Sequence, residues 1–227
     1  VKPVMMLAEA AEPEMHEVGF DLTYAWPFYD RLKRVWSEER PVGTLASQVD
    51  STLDALPGEG KRMRFTTNHD ETMWDAPPPA LFGGVEGSKA AFVLATSMPG
   101  APLVYNGQEL GVSDTVSFFA RTPYDWDQDA SLTDFYQNHL SLYRDSPALQ
   151  DGTLEVLTPN AEDVLVYTRS TDDEEVLLAV NVRDEEATVD VPGDYADATL
   201  VHATTGEEFS GDAMELGPYD YRIFYVE

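Results

Sequence analysis

The first 150 residues alternate short apolar runs with stretches that have helical periodicity. Apolar runs at 4–8, 19–25, 63–67 and 102–105 predict four strands. The first of these runs has no polar interruption, which is typical of a strand buried on both faces of a parallel sheet. Apolar residues at helical spacing predict helices in the segments 28–36, 44–56, 88–98 and 132–144. This alternation predicts (β/α) units built around a parallel sheet.

The pattern changes near residue 150, where a period of two replaces the helical period. Short runs rich in β-branched and aromatic residues predict strands at 164–168, 176–182, 187–191, 199–202 and 221–226. Turn sequences such as Pro-Gly-Asp at 192–194 separate them. We therefore predict two domains, an α/β domain over residues 1–148 and an antiparallel β-sandwich over residues 149–227.

Composition narrows the classes of partner. The 227 residues are 43% hydrophobic, which is enough to bury a substantial core. Asp and Glu number 42 against 14 Lys and Arg, giving a formal net charge of −28. This charge would repel nucleic acid and anionic membranes, so we expect neither as a partner. An acidic surface suits concentrated salt, where repulsion is screened, and predicts a halophilic protein; an ordinary acidic protein is the alternative.

Other sequence features bear on location and on metal sites. The chain has no cysteine, so thiolate metal ligands are absent. The apolar stretch 90–105 contains Pro99 and Pro102 and cannot be a membrane span. No signal peptide is visible, and the first residue is Val1 instead of Met, which suggests a start further upstream. We expect a soluble protein of the cytoplasm, with secretion left open.

Two polar segments follow predicted strands and suggest chemistry. The segment 67–71 reads Thr-Asn-His-Asp-Glu, and the segment 102–109 reads Pro-Leu-Val-Tyr-Asn-Gly-Gln-Glu. A strand that ends in Asn-His-Asp brings an imidazole and a carboxylate to the rim of a sheet, where parallel α/β barrels keep their reacting groups. Glu9 ends the first apolar run in the same way. We therefore expect Glu9, His69 and Asp70 at one rim.

In this order and spacing, the two segments resemble the last two strand-loop units of the α-amylase family, glycoside hydrolase family 13. The resemblance extends from the strand at Val4 to the strand ending at Phe224. It implies the C-terminal half, strands five to eight, of a (β/α)8 TIM barrel followed by an antiparallel β-sandwich. Half a barrel leaves two open sheet edges, which soluble domains do not normally tolerate. We therefore expect a missing N-terminal half-barrel, or another chain, to cover them.

The resemblance also assigns roles to residues. It implies that Glu9 is the catalytic acid/base and that Asp70 stabilises the transition state. His69 and Asn68 would contact sugar hydroxyls in the same subsite. Trp74 and Tyr24 are candidates to stack on sugar rings. The competing interpretations are that Glu9 is a surface glutamate, that the segment 68–70 caps a helix, and that the aromatic residues belong to the core.

The chain departs from the family at the nucleophile. The family takes its nucleophile from a Gly-x-Arg-x-Asp pattern at the end of strand four, and no such pattern occurs here. We therefore expect the C-terminal part of a retaining α-glycosidase that acts on α-glucans or α-glucosides by double displacement and is inactive as this chain alone. The alternative is a non-catalytic relative that binds carbohydrate or has a structural role.

The sequence predicts no cofactor for this site. No pair of histidines has metal-ligand spacing, so we expect no transition metal. The family resemblance allows calcium, but the sequence shows no ligand cluster for it.

Overall fold

The computed structural model describes residues 4–121, 123–126 and 131–227, so the first three residues of the predicted domain 1–148 fall outside it. The N-terminal part is built on a four-stranded sheet. Its strands are β1 (Leu7–Ala8), β2 (Leu22–Tyr24), β3 (Lys61–Arg64) and β4 (Ala101–Pro102). The helices are α1 (Glu14–Glu17), α2 (Trp26–Ser37), α3 (Thr44–Leu53), α4 (Glu71–Trp74), α5 (Pro78–Leu81), α6 (Gly84–Ser97), α7 (Ser131–Asp145) and α8 (Pro147–Asp151).

The four strands pair in sequence order and all pairs are parallel. The parallel sheet predicted from the alternating pattern is therefore present. Because all four strands are parallel, their carboxyl ends lie at one edge of the sheet. Residues that follow each strand are brought together at that edge.

The strands are shorter than the apolar runs suggest. The run 4–8 forms only the two-residue strand β1, and Val4, Met5 and Met6 are exposed. The prediction of a strand buried on both faces is wrong for these three residues. The reason is that β1 pairs only with β2, and within the described residues no strand pairs with its other edge. An apolar run forms a buried strand only where neighbours exist on both sides.

The predicted helices are present with shifted ends. On α2 the buried residues Phe28, Leu32 and Val35 lie at helical spacing and face the core. Helix α6 is buried almost all round from Ala90 to Ser97, because it contacts β7 on one side and α2 and α7 on others. This explains why its sequence is apolar without a clear polar face.

The C-terminal part contains two antiparallel sheets. Its strands are β5 (Thr153–Val156), β6 (Val164–Ser170), β7 (Glu175–Asn181), β8 (Ala187–Asp190), β9 (Leu200–His202), β10 (Glu208–Phe209), β11 (Ala213–Leu216) and β12 (Tyr221–Val226). The larger sheet has the order β10-β9-β12-β7-β6-β5, and β8 pairs with β11. The sequence pattern did not reveal β5, β10 and β11, which are short.

The larger sheet is covered on both faces. On one face, Leu177 and Phe224 pack with Met214 and Leu216 of the small sheet. On the other face, residues such as Leu178 belong to the core cluster that also contains the helices of the N-terminal part. The N-terminal and C-terminal parts therefore share a core.

A buried arginine strengthens this junction. Arg169 of β6 is fully buried and donates hydrogen bonds to the carbonyl oxygens of Gly152 and Ser97. The predicted domain boundary at 148/149 falls inside α8, and the division at that residue stays a prediction. Within the described residues, no helix is long and apolar enough to cross a membrane.

Candidate active site

The candidate site lies at the carboxyl edge of the parallel sheet. Glu9 directly follows β1, Tyr24 ends β2, and the segment 68–70 follows β3 after a short extension. Since the strands are parallel, these positions meet although Glu9 and His69 are far apart in sequence. Each of these apolar runs ends in a polar residue, and these residues are the ones that meet at the edge.

Three side chains form the centre of the site. The Nε2 atom of His69 lies 3.0 Å from Oε1 of Glu9 and 3.7 Å from Oδ1 of Asp70. All three side chains are between two-fifths and just over half exposed, so a ligand could reach them from solvent. Two carboxylates and an imidazole at this separation can exchange a proton and accept hydrogen bonds from vicinal hydroxyl groups.

Tyr24 forms one wall of the site. Its ring stacks on that of Trp26, with the centroids 4.5 Å apart, and its residue is 5% exposed. Burial raises the pKa of the Tyr24 hydroxyl, and the negative charges of Glu9 and Asp70 raise it further. The hydroxyl is therefore protonated at neutral pH. The stacked face of Tyr24 is occupied by Trp26, so we expect this tyrosine to offer its edge and hydroxyl instead of a stacking platform.

Asn68 shapes the turn that presents the two central residues. The Oδ1 atom of Asn68 accepts hydrogen bonds from the backbone N–H groups of Asp70 and Glu71, both at 2.9 Å. The segment thus caps α4, as the competing interpretation proposed, but the capping side chain is Asn68 and the carboxylate of Asp70 takes no part in it. Asn68 is 1% exposed, and its Nδ2 atom has no hydrogen-bond partner among the residues that the structure describes. Asn68 therefore contacts the backbone of the turn, and its role in sugar binding stays a prediction.

A hydrogen-bond network supports the site from behind, and the sequence pattern gave no sign of it. The indole Nε1 of Trp26 donates to Glu71 at 3.0 Å, and the hydroxyl of Tyr29 donates to Asp75 at 2.9 Å. Burial raises the pKa of Glu71, and Trp26 opposes that shift. Burial would also raise the pKa of Asp75, but hydrogen bonds from Lys33 and Tyr29 lower it overall. These contacts hold α4 against α2.

Trp74 lies at the end of α4 and is 72% exposed. Its ring meets that of Phe118 at 5.7 Å, and Phe118 in turn contacts Phe119, which is 93% exposed. Three exposed aromatic rings in contact are unusual on the surface of a soluble protein. The sequence pattern predicted a role for Trp74 but missed Phe118 and Phe119, which lie in a loop without periodicity.

The central residues also form a group that could hold a cation. Glu9, His69 and Asp70 each offer one ligand atom, and these atoms lie within 4.8 Å of one another. The sequence predicted these three residues at one rim, but spacing along the chain did not reveal a possible cation site, because its members come from two separate strand ends. Calcium prefers about six to eight oxygen ligands, more than the two carboxylates supply. The absence of a metal at this site stays a prediction.

A family model matches part of the chain. Residues 154–223 match the C-terminal domain of maltogenic amylase. This range covers most of the two antiparallel sheets.

Curated relatives match a longer part. Alpha-amylase 2 of Dictyoglomus thermophilum is 30% identical over 70% of this chain, and a cyclomaltodextrinase of Geobacillus thermopakistaniensis is 25% identical over 96% of it. Alpha-amylase MalA of Haloarcula japonica is 28% identical over 88%. The aligned parts make up only 28%, 38% and 30% of these three relatives. The chain thus spans about a third of the length of the relatives it matches.

Solved structures show the same fold. An α-amylase from Anoxybacillus superposes with a TM-score of 0.82 over 97% of this chain and 51% of its own, at 19% identity. An α-amylase from Geobacillus thermoleovorans, solved with acarbose, superposes with a TM-score of 0.78 over 97% of this chain and 52% of its own, at 18% identity. The resemblance found in the sequence is confirmed, and the chain belongs to the α-amylase family, as a C-terminal barrel part with its β domain.

Proposed function

We propose that this chain is the C-terminal part of a retaining α-glycosidase that acts on α-glucans or α-glucosides. The β1 to β4 strands would be strands five to eight of the complete barrel. The observation that carries the proposal is the contact of His69 with Glu9 at 3.0 Å and with Asp70 at 3.7 Å, at the carboxyl edge of a parallel sheet. The relationship to α-amylases supports the choice of substrate class.

Glu9 is the proposed acid/base. A retaining glycosidase needs a carboxylic acid that protonates the leaving oxygen and later, as carboxylate, takes a proton from the attacking water. Glu9 is half exposed and directly follows a strand, so it can reach a glycosidic oxygen without rearrangement of the sheet. His69 lies within hydrogen-bond distance of it and can orient its carboxyl group.

Asp70 is the proposed stabiliser of the transition state. As the anomeric carbon gains positive charge, a nearby carboxylate favours the distorted, oxocarbenium-like ring more than the ground state. In this proposal Asp70 and His69 both bind hydroxyl groups of that ring. Tyr24 forms one wall of the subsite that binds this ring, and Trp74 contacts a neighbouring sugar unit.

The nucleophile comes from outside these 227 residues in this proposal. A half-barrel carrying it would pair with the free edge of β1, where Val4, Met5 and Met6 now expose apolar side chains. Either a preceding segment of a longer protein or a second chain could supply this half. The coding sequence upstream is a direct check, since a Gly-x-Arg-x-Asp pattern after an apolar strand supports the proposal.

The test compares the chain alone with a longer form that includes the upstream segment. We expect reducing sugar to be released from maltooligosaccharides only by the longer form. In that form, Glu9→Gln and Asp70→Asn should each lower kcat by roughly 100-fold or more, because each removes a group that acts in the transition state. Glu14→Gln is the matched control, an exposed glutamate on α1 that should leave kcat unchanged.

Three results would overturn the proposal. Robust hydrolysis by the chain alone would show that the nucleophile is not supplied from outside. Full activity of the Glu9→Gln form would remove the proposed acid/base. If the longer form binds maltooligosaccharides but shows no turnover, the chain is the non-catalytic relative instead.

A further inference from the structure

A cavity lies away from the strand ends, between the helices of the N-terminal part and the larger antiparallel sheet. Its volume is about 510 Å³, within the range of small-molecule sites. One wall comes from α6 and α7 and the other from β12 and the loop after β9. None of its lining residues belongs to the group formed by Glu9, His69 and Asp70.

Aromatic rings form part of the wall. Phe135 of α7 and Tyr221 of β12 meet edge to face, with ring centroids 6.2 Å apart. Both rings are partly buried and line the cavity, as does Tyr219. Tyr219 has a left-handed backbone, with φ of 53°, which is uncommon for a bulky residue. The rings give the wall apolar surface, and the hydroxyl groups of the two tyrosines are polar.

The charged groups of the cavity cancel in pairs. Lys89 contacts Glu86 at 2.8 Å, and Arg222 holds Asp220 through two contacts, at 2.9 Å and 3.1 Å. In a chain with a net charge of −28, this cavity is thus locally neutral. Among the described residues that line the cavity, no unpaired cation is left to attract an anion, and neither carboxylate is left to attract a cation. The cavity therefore favours a neutral ligand.

The neutral polar groups can bind hydroxyl groups. The Nδ1 atom of His202 accepts hydrogen bonds from the backbone N–H groups of Thr204 and Thr205, so the ring proton is on Nε2. This Nε2–H makes no hydrogen bond to the described residues and is a donor on a lining residue. The amide of Asn138, exposed on α7, offers both a donor and an acceptor. Neutral donors and acceptors beside apolar rings match a sugar, which is apolar on the faces of its ring and polar at its edge.

We propose that this cavity is a second carbohydrate-binding site, which takes a short α-glucan segment without cleaving it. The choice of an α-glucan, among neutral sugars, rests on the proposed function. The site would hold a polymeric substrate on the protein while another segment occupies the catalytic edge.

The test uses maltotriose as the probe and follows the amide signals of the whole chain by two-dimensional NMR, with cellotriose as the linkage control. We expect maltotriose to shift signals in the segments 202–205 and 219–222. Asn138→Trp fills the cavity and should weaken this binding at least tenfold. Gln137→Trp is the matched control, since Gln137 is exposed on the same helix and does not line the cavity.

A second set of variants separates this site from the catalytic edge. Thr204→Trp, on the opposite wall, should have the same effect as Asn138→Trp, and the amide spectrum verifies that each variant is folded. His69→Ala should leave the shifts at 219–222 unchanged.

Shifts confined to residues near Glu9 and the segment 68–71, or no shifts at all, would overturn the second site. Shifts confined to the residues near Glu9 and the segment 68–71 would still support the catalytic proposal, whereas the absence of any shift would not. The experiment therefore distinguishes failure of the second site from failure of the catalytic proposal. Equal binding of cellotriose would overturn the α-glucan preference.

Discussion

Protonation of His139 should destabilise the fold over a defined pH range. This side chain lies in α7 between the rings of Phe92 and Phe135, and it is 6% exposed. The hydroxyl of Thr96 donates to the carbonyl oxygen of Phe92, so it accepts the hydrogen bond from Nε2 of His139. The buried ring is therefore neutral with its proton on Nε2. Among the described residues, no charged group faces it closely enough to compensate for a second proton.

The magnitude follows from the pKa. Burial lowers the pKa of His139 from 6.5 to about 4. Above pH 6.5 the ring is neutral in both the folded and the unfolded state, and stability is full. As the pH falls from 6.5 to 4, the unfolded chain binds a proton that the folded chain does not, so stability is lost. At about 1.4 kcal/mol for each pKa unit, the loss is about 3 kcal/mol.

The assay is urea unfolding followed by tryptophan fluorescence at pH 7 and pH 4, at constant ionic strength, for the native chain and for His139→Gln. The many carboxylates affect both chains equally, so the difference between them isolates the histidine. We expect the native chain to lose about 3 kcal/mol more than the variant between the two pH values. Equal losses in the two chains, or a titration midpoint of His139 near 6.5 by NMR, would refute the reasoning.

Three further predictions concern other features. Asn68→Ala removes the acceptor for two backbone N–H groups and should lower the free energy of unfolding in urea by about 1–2 kcal/mol; Asn160→Ala, at an exposed position, is the control, and an equal effect of both would contradict the capping role. Ser146→Ala removes the N-cap of α8 and should cost about 1 kcal/mol in the same assay, so an unchanged midpoint would contradict it. Salt that shortens the Debye length from about 10 Å to about 3 Å should raise Tm, because it screens the charge of −28; a Tm that stays constant or falls in calorimetry would argue against a halophilic surface.

The candidate site shows where sequence spacing is informative and where it is not. His69 and Asp70 are neighbours after a strand, so their presence at a sheet edge follows from the pattern alone. Their contact with Glu9 needs the parallel pairing of β1 through β3, and no spacing along the chain specifies the 3.0 Å approach. The contact of Phe118 with Trp74 could not be predicted from the sequence either. Phe118 lies in a loop without periodicity, and such a loop carries no signal of its position.

The sequence by itself determined the order of the four parallel strands and of the helices α2, α3, α6 and α7, the change to antiparallel sheet near residue 150, and the polar residues at strand ends. These features depend on local periodicity, which a strand or helix expresses wherever it packs. Only the tertiary structure decided how much of each apolar run becomes a strand, as the exposed segment 4–6 shows, and that Asn68 contacts the turn while His69 faces the carboxylates. Pairing and burial depend on neighbours that are distant in the chain, so one-dimensional spacing cannot specify them.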